Sequence, residues 1–126
     1  MKRLSVEDIL LLHRLLIAET GGKDGLRDSG LLDMAASSPY QTFGGQELYP
    51  TLPSKAAQLC FSLIQDHPFL DGNKRIGVLA MLTLLELNGC VLLPSDEDLI
   101  RIGLGVASGA LSAEDVTRWI VTQGLS

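Results

Sequence analysis

Residues 67–75 read His-Pro-Phe-Leu-Asp-Gly-Asn-Lys-Arg and place an imidazole, a carboxylate, a glycine and two cations within nine positions. A site that moves part of a nucleotide onto a hydroxyl needs donors for the phosphates, an oxygen ligand for a metal and an acceptor for the hydroxyl proton. Each is present. Gly72 lets the backbone approach an anion, and the N–H groups around Asn73, Lys74 and Arg75 would begin a helix whose free donors and dipole favour phosphate. Lys74 and Arg75 add charge, Arg75 with a fork that can grip two oxygens. Asp71 is the hard oxygen ligand that magnesium accepts beside phosphate. His67 can take a proton near neutral pH. Pro68 biases His67 toward an extended backbone, and Phe69 can plug into the core so that its polar neighbours face outward.

Singly, these residues have plainer readings: a loop histidine, an Asp-Gly-Asn turn, a solvated Lys-Arg pair. Their conjunction favours chemistry. A hydrolytic metal site on His67 and Asp71 fits less well, because two ligands without a second histidine nearby fall short of a catalytic zinc set, and His13 reads as a helix-face residue.

The rest of the chain must position this loop. Its 126 residues suit one domain, 1–126, and 46% hydrophobic with 20% charged residues makes it globular. The absence of a basic leader and of an apolar stretch of membrane-spanning length predicts a soluble, cytoplasmic protein without membrane contact. A net charge of −5 argues against direct nucleic-acid binding. Lys74 and Arg75 are the only Lys or Arg between Ala56 and Ile100, which marks a local anion site. Cys60 and Cys90, each among aliphatic residues, read as buried thiols.

Hydrophobic periodicity predicts an all-α bundle of about six helices. Ser5 with Asp8 opens the first, which runs to about Glu19, and Gly21-Gly22 ends it. Asp28 or Ser29 caps a short helix through Ala36, stopped by Pro39. From Tyr40 to Tyr49, strand-like residues flank Gly44-Gly45, a hairpin signal, and so short a hairpin must lean on the helices. Pro53-Ser54 begins a helix interrupted at His67-Pro68. The next, from about Asn73 to Asn88, is apolar nearly all round and belongs mid-bundle. Ser95 and Ser112 start two more helices, and Trp119 should pack the last one onto the core.

The nonapeptide resembles the signature of the Fic/Doc superfamily, H-x-F-x-[DE]-G-N-[GK]-R. Lys74, where AMP-transferring Fic enzymes have glycine, is similar to the Doc branch, the death-on-curing toxins. The likeness extends through Gly21-Gly22, Gly25, Arg27 to Leu32, Thr42 to Gly45, Tyr49-Pro50 and Leu87 to Gly89. The resemblance implies a Fic fold with a β-hairpin flap, in which Thr42, Phe43, Gly44 and Gly45 dock a target segment by strand addition. By position, His67 would be catalytic, Asp71 the magnesium ligand, and Gly72, Asn73, Lys74 and Arg75 the phosphate grip. It further implies ATP and Mg2+, transfer of a terminal phosphate to a Ser/Thr hydroxyl of elongation factor Tu, inhibited translation, and a Phd-like antitoxin. Val78, where many Fic enzymes carry a second Arg, favours phosphate over AMP transfer. Nucleotidyl transfer by the same loop is the alternative, and a decayed protein that only binds antitoxin is another. No Glu is followed by Gly or Asn, as in the inhibitory helix of many Fic proteins, so restraint would come from a separate chain.

Overall fold

In the computed structural model, which describes residues 1–123, six α-helices and one hairpin follow the order α1 (Val6–Thr20), α2 (Ser29–Ser37), β1 (Thr42–Phe43), β2 (Gln46–Glu47), α3 (Leu52–Asp66), α4 (Asn73–Leu87), α5 (Asp96–Ser108) and α6 (Ala113–Thr122). Five of these helices start on a side-chain cap: Ser5, Asp28, Thr51, Ser95 and Ser112 each accept from a first-turn amide. Only α4 does not. Its N-cap is Gly72, in the left-handed region at φ 76°, and no side chain caps it.

The fold is all-α with a small flap, as its periodicity predicts, and two boundaries move. The third helix starts at Leu52 because Thr51 and Ser54 form a reciprocal capping box, leaving Pro53 in the first turn, where a missing N–H costs nothing. Pro39 sits inside a 3₁₀ turn, Ser38–Tyr40, that continues directly from α2.

The centre of the bundle is shared. α3 buries Ala56, Ala57, Leu59, Cys60, Leu63 and Ile64, and α4 meets them with Ile76, Gly77, Ala80, Met81, Leu84 and Leu85. Gly77 permits the close approach: a Cβ there would lie 2.6 Å from Ile64 Cγ1 and 3.1 Å from the Cys60 carbonyl oxygen. The all-round apolar character of α4 has a second cause. Its other face, with Val78, Leu79 and Leu82, lines an open cleft of about 630 Å³ between α1, α4 and α5. On α6 the anchors are Val116 and Ile120, which are buried, while Trp119 packs against the core only partly buried. Both cysteines are free and buried, and burial pushes the Cys60 thiol up to about 12. Among the described residues no helix is long and apolar enough to cross a membrane.

The hairpin pairs Thr42 with Glu47 and Phe43 with Gln46. Gly44 and Gly45 both take positive φ, 60° and 80°, as a tight two-residue turn of the mirror type requires. Its support comes from Lys55, which is buried on α3 and donates to Glu47 Oε1 at 2.9 Å and to the Tyr49 carbonyl. Phe43 stays 80% exposed at the tip.

Candidate active site

The motif loop joins the C-terminus of α3 to the N-terminus of α4, and its hydrophobic foot is where the spacing places it. Phe69 is 2% exposed and lies flat against the ring of His13, with centroids 3.7 Å apart and planes within 8°. His13 lies on the buried face of α1. It is 1% exposed, and its Nε2 meets the Asp71 carbonyl oxygen at 2.8 Å. A carbonyl only accepts, so this nitrogen carries the hydrogen. Nδ1 faces the Asp24 carboxylate at 3.7 Å.

Above the foot, Asn73 holds the turn from within. Its Oδ1 accepts from Phe69 N–H, and its Nδ2 donates to the Phe69 carbonyl, both at 3.0 Å. These two bonds orient the amide, whose second hydrogen lies toward His67 Nδ1 at 3.2 Å. The side chain of Asn73 is therefore buried and engaged, and what it offers an anion is its backbone N–H. With the amide donating, Nδ1 is the lone-pair nitrogen and the ring hydrogen resides on Nε2. Accepting a proton at Nε2 requires that hydrogen to move to Nδ1, and the Asn73 contact to break.

His67 itself is exposed and borders the uncapped start of α4. Its backbone departs from the extended conformation expected before proline: φ 50°, ψ 56° is left-handed, the conformation that ends α3. The cause lies in the α1–α2 loop. Arg27 donates from Nε to the His67 carbonyl at 2.6 Å and from Nη2 to the Asp66 carbonyl at 2.9 Å. The N–H groups of Arg27 and Asp28 both reach the Pro68 carbonyl, at 2.7 and 3.0 Å, and Leu70 N–H reaches the Gly25 carbonyl at 3.1 Å. Residues 21–28 are thus zipped onto the motif.

Asp71 is half-exposed. Its Oδ2 accepts from Lys23 N–H at 3.1 Å and its Oδ1 from Gly72 N–H at 2.8 Å, and these two bonds, Lys23 first, with the nearby Arg75 and Lys23 charges, hold the carboxyl below the usual carboxylate range. Each oxygen keeps a second lone pair. Asp71 is charged and accessible, and so is chemically suited to a magnesium ion beside phosphate. Gly22 makes this approach possible, since a Cβ there would fall 2.6 Å from Asp71 Oδ2. Arg75 is turned back to α1, donating from Nη1 to Thr20 Oγ1 at 2.5 Å and to the Gly21 carbonyl at 2.8 Å, with Nη2 3.6 Å from Asp71 Oδ1. Lys74 is exposed and lines the α1–α4–α5 cleft, where a Cβ added at Gly103 would lie 3.5 Å from the Lys74 Cβ. The structure thus brings His67, Asp71, Gly72 and Asn73 together in one turn, and points Lys74 and Arg75 to its rim.

Sequence spacing gave no role to His13, Lys23 or Lys55, and saw Arg27 only as part of a shared string. A histidine amid the apolar periodicity of α1 is a trace of the first. Lys23 donates its own backbone N–H, and Arg27 and Lys55 each reach backbone carbonyls, contacts that residue type does not signal.

Among the described residues no three His, Cys, Asp or Glu side chains gather as a metal cluster. Comparison with known proteins agrees with the loop. Toxin Doc of Mycolicibacterium smegmatis is 46% identical over 81 residues, which is 64% of this chain and 62% of that relative. Protein kinase doc of Escherichia phage P1 is 28% identical over 116 residues, 92% of this chain and 90% of that protein. The chain thus spans less than two thirds of the first of these relatives and most of the second. The model of the Fic/DOC family matches residues 3–85, from α1 and its zipped loop through the flap to the motif helix, and the chain belongs to the Fic/DOC family.

Proposed function

We propose that this protein transfers the terminal phosphate of ATP to a Ser or Thr hydroxyl of a protein target, elongation factor Tu being the target the family resemblance implies, and so blocks translation. The observation that carries this reading is the one α-helix start without a side-chain cap among the described residues, that of α4, reached by an exposed imidazole and preceded by a carboxylate held in its charged form. Its first-turn amides are the donors that a phosphate chain seeks. The names of the two relatives, a toxin and a protein kinase, support the same reading.

In this reading Gly72 lets the backbone approach the phosphates, Asn73 and Lys74 present amides to them, and Arg75 exchanges Thr20 and Gly21 for phosphate oxygens. Asp71 would hold magnesium, which when bound neutralises charge on the phosphates. The target hydroxyl lies along the hairpin beside Phe43. Its oxygen forms the new bond to the terminal phosphorus as the bond to the bridging oxygen breaks and ADP leaves, and its proton passes to His67, which must first shed Asn73.

AMP transfer is the second reading, and one observation favours it: Lys74 points into the cleft with α5, so it does not narrow the phosphate cradle. Incubation with a cell extract and ATP labelled on the outer or the inner phosphate separates the two. Label from the outer phosphate, lost in His67→Ala, is expected; label retained only from the inner phosphate overturns phosphate transfer.

We also assign a Phd-like antitoxin to the apolar cleft. Leu16, Leu79, Leu82, Leu99 and Leu104 line it, and Lys74 and Arg75 stand at its end. An apolar helix with an acidic terminus fits these walls and would cover both cations.

A further inference from the structure

His67 is the only residue other than glycine with positive φ among the described residues, and it is also the candidate base. A helix that ends in a left-handed residue usually has glycine there and sends the following N–H groups back to its last carbonyls. Here the residue is histidine, and the next is proline, which has no N–H to send. The left-handed backbone is therefore strained at a side chain with a Cβ, and it persists only if other contacts overdetermine it.

Those contacts come from Arg27, 40 residues upstream. Its guanidinium supplies the donors that Pro68 cannot, at 2.6 Å to the His67 carbonyl and 2.9 Å to the Asp66 carbonyl, while its own N–H takes the Pro68 carbonyl at 2.7 Å. Three successive carbonyls, 66 to 68, are thus held by one residue. Arg27 is exposed, so packing does not explain it. Released from this fork, His67 would relax toward the extended region that a following proline favours, and the imidazole would swing away from Asn73 and from the start of α4.

We propose that Arg27 is the positioning residue of His67: it acts through the backbone to aim the imidazole, without touching substrate. Only the activity arm of its test rests on the phosphate-transfer reading. A lysine would keep the charge but could not fork across two carbonyls.

The test compares wild type, Arg27→Met and Arg27→Lys by NMR, reading the backbone shifts and the ring-nitrogen shifts of His67, and by phosphate transfer from labelled ATP. In Arg27→Met the left-handed signature and the Nδ1 shift characteristic of the Asn73 contact are expected to disappear while the helix signals persist. Catalytic turnover should fall about 100-fold, as for a misplaced reacting group, with the KM for ATP within about threefold, which marks a loss confined to the transition state. Arg27→Lys should resemble Arg27→Met. Unchanged His67 signals overturn the proposal, as do altered signals with undiminished transfer. Should Arg27→Met fail to fold, Arg27→Lys is judged by the same two outcomes. If wild type transfers no phosphate, the functional reading fails, and the spectra alone decide the role of Arg27.

Discussion

At the scale of single residues, two of the groups exposed for chemistry rest on buried side chains, His67 on Asn73 and Asp71 on His13. His13 supports Asp71 by a hydrogen bond to its carbonyl and supports Phe69 by stacking. Replacing it with phenylalanine keeps a ring but leaves that carbonyl without its donor. His13→Phe should lose roughly 1–3 kcal/mol, the usual cost of an unsatisfied buried polar group, as read by urea unfolding; an unchanged midpoint would show that the bond does not support the loop. Asp71 gives a pH-dependent prediction. Its folded carboxyl titrates below the ordinary value of about 3.9, so it binds fewer protons folded than unfolded as acid is added. Its stabilisation is complete above that value and drains as pH falls through the lowered one. The difference in melting temperature between wild type and Asp71→Asn should accordingly stay constant from neutrality to about pH 5 and narrow in stronger acid.

At the scale of elements, the motif is a break between two helices that leave no room for a side chain at Gly77. Gly77 sets that spacing, and Gly77→Ala pits a helix-propensity gain of about 1 kcal/mol against overpacking of about 1–3 kcal/mol at Ile64 and the Cys60 carbonyl. Because one contact is backbone, a net loss on the order of 1 kcal/mol is expected by thermal unfolding; a stabilised variant would mean that α3 and α4 separate easily. Most helix boundaries were legible beforehand, since Ser5, Asp28, Ser95 and Ser112 cap where their side chains predict. The start of α3 was less so. Pro53-Ser54 is the expected start, and the reciprocal bond between Thr51 and Ser54 moves it to Leu52.

At the scale of the whole molecule, the apolar surface is unevenly distributed. α4 carries more aliphatic area than α3 can cover, and the surplus forms the cleft closed on its other sides by α1 and α5. If the proposed antitoxin occupies that cleft, Leu104→Asp, placing a charge on its half-exposed wall, should weaken the binding by at least about tenfold, since an unpaired charge is costly in an apolar interface. Calorimetry with a co-expressed antitoxin would read this, and undiminished affinity would move the partner elsewhere.

The residue order alone specified a helical bundle, a two-glycine hairpin and a reactive nonapeptide with Phe69 as its buried foot, because capping, periodicity and turn chemistry are local and act within a few positions. It could not specify the left-handed turn of His67. Local preference before Pro68 points to extended backbone, and the opposing force comes from Arg27 across the fold. Nor could it place His13 under Asp71 or direct Arg75 toward Thr20 and Gly21, since those partners lie 58, 55 and 54 positions apart and meet only when α1 packs on α4.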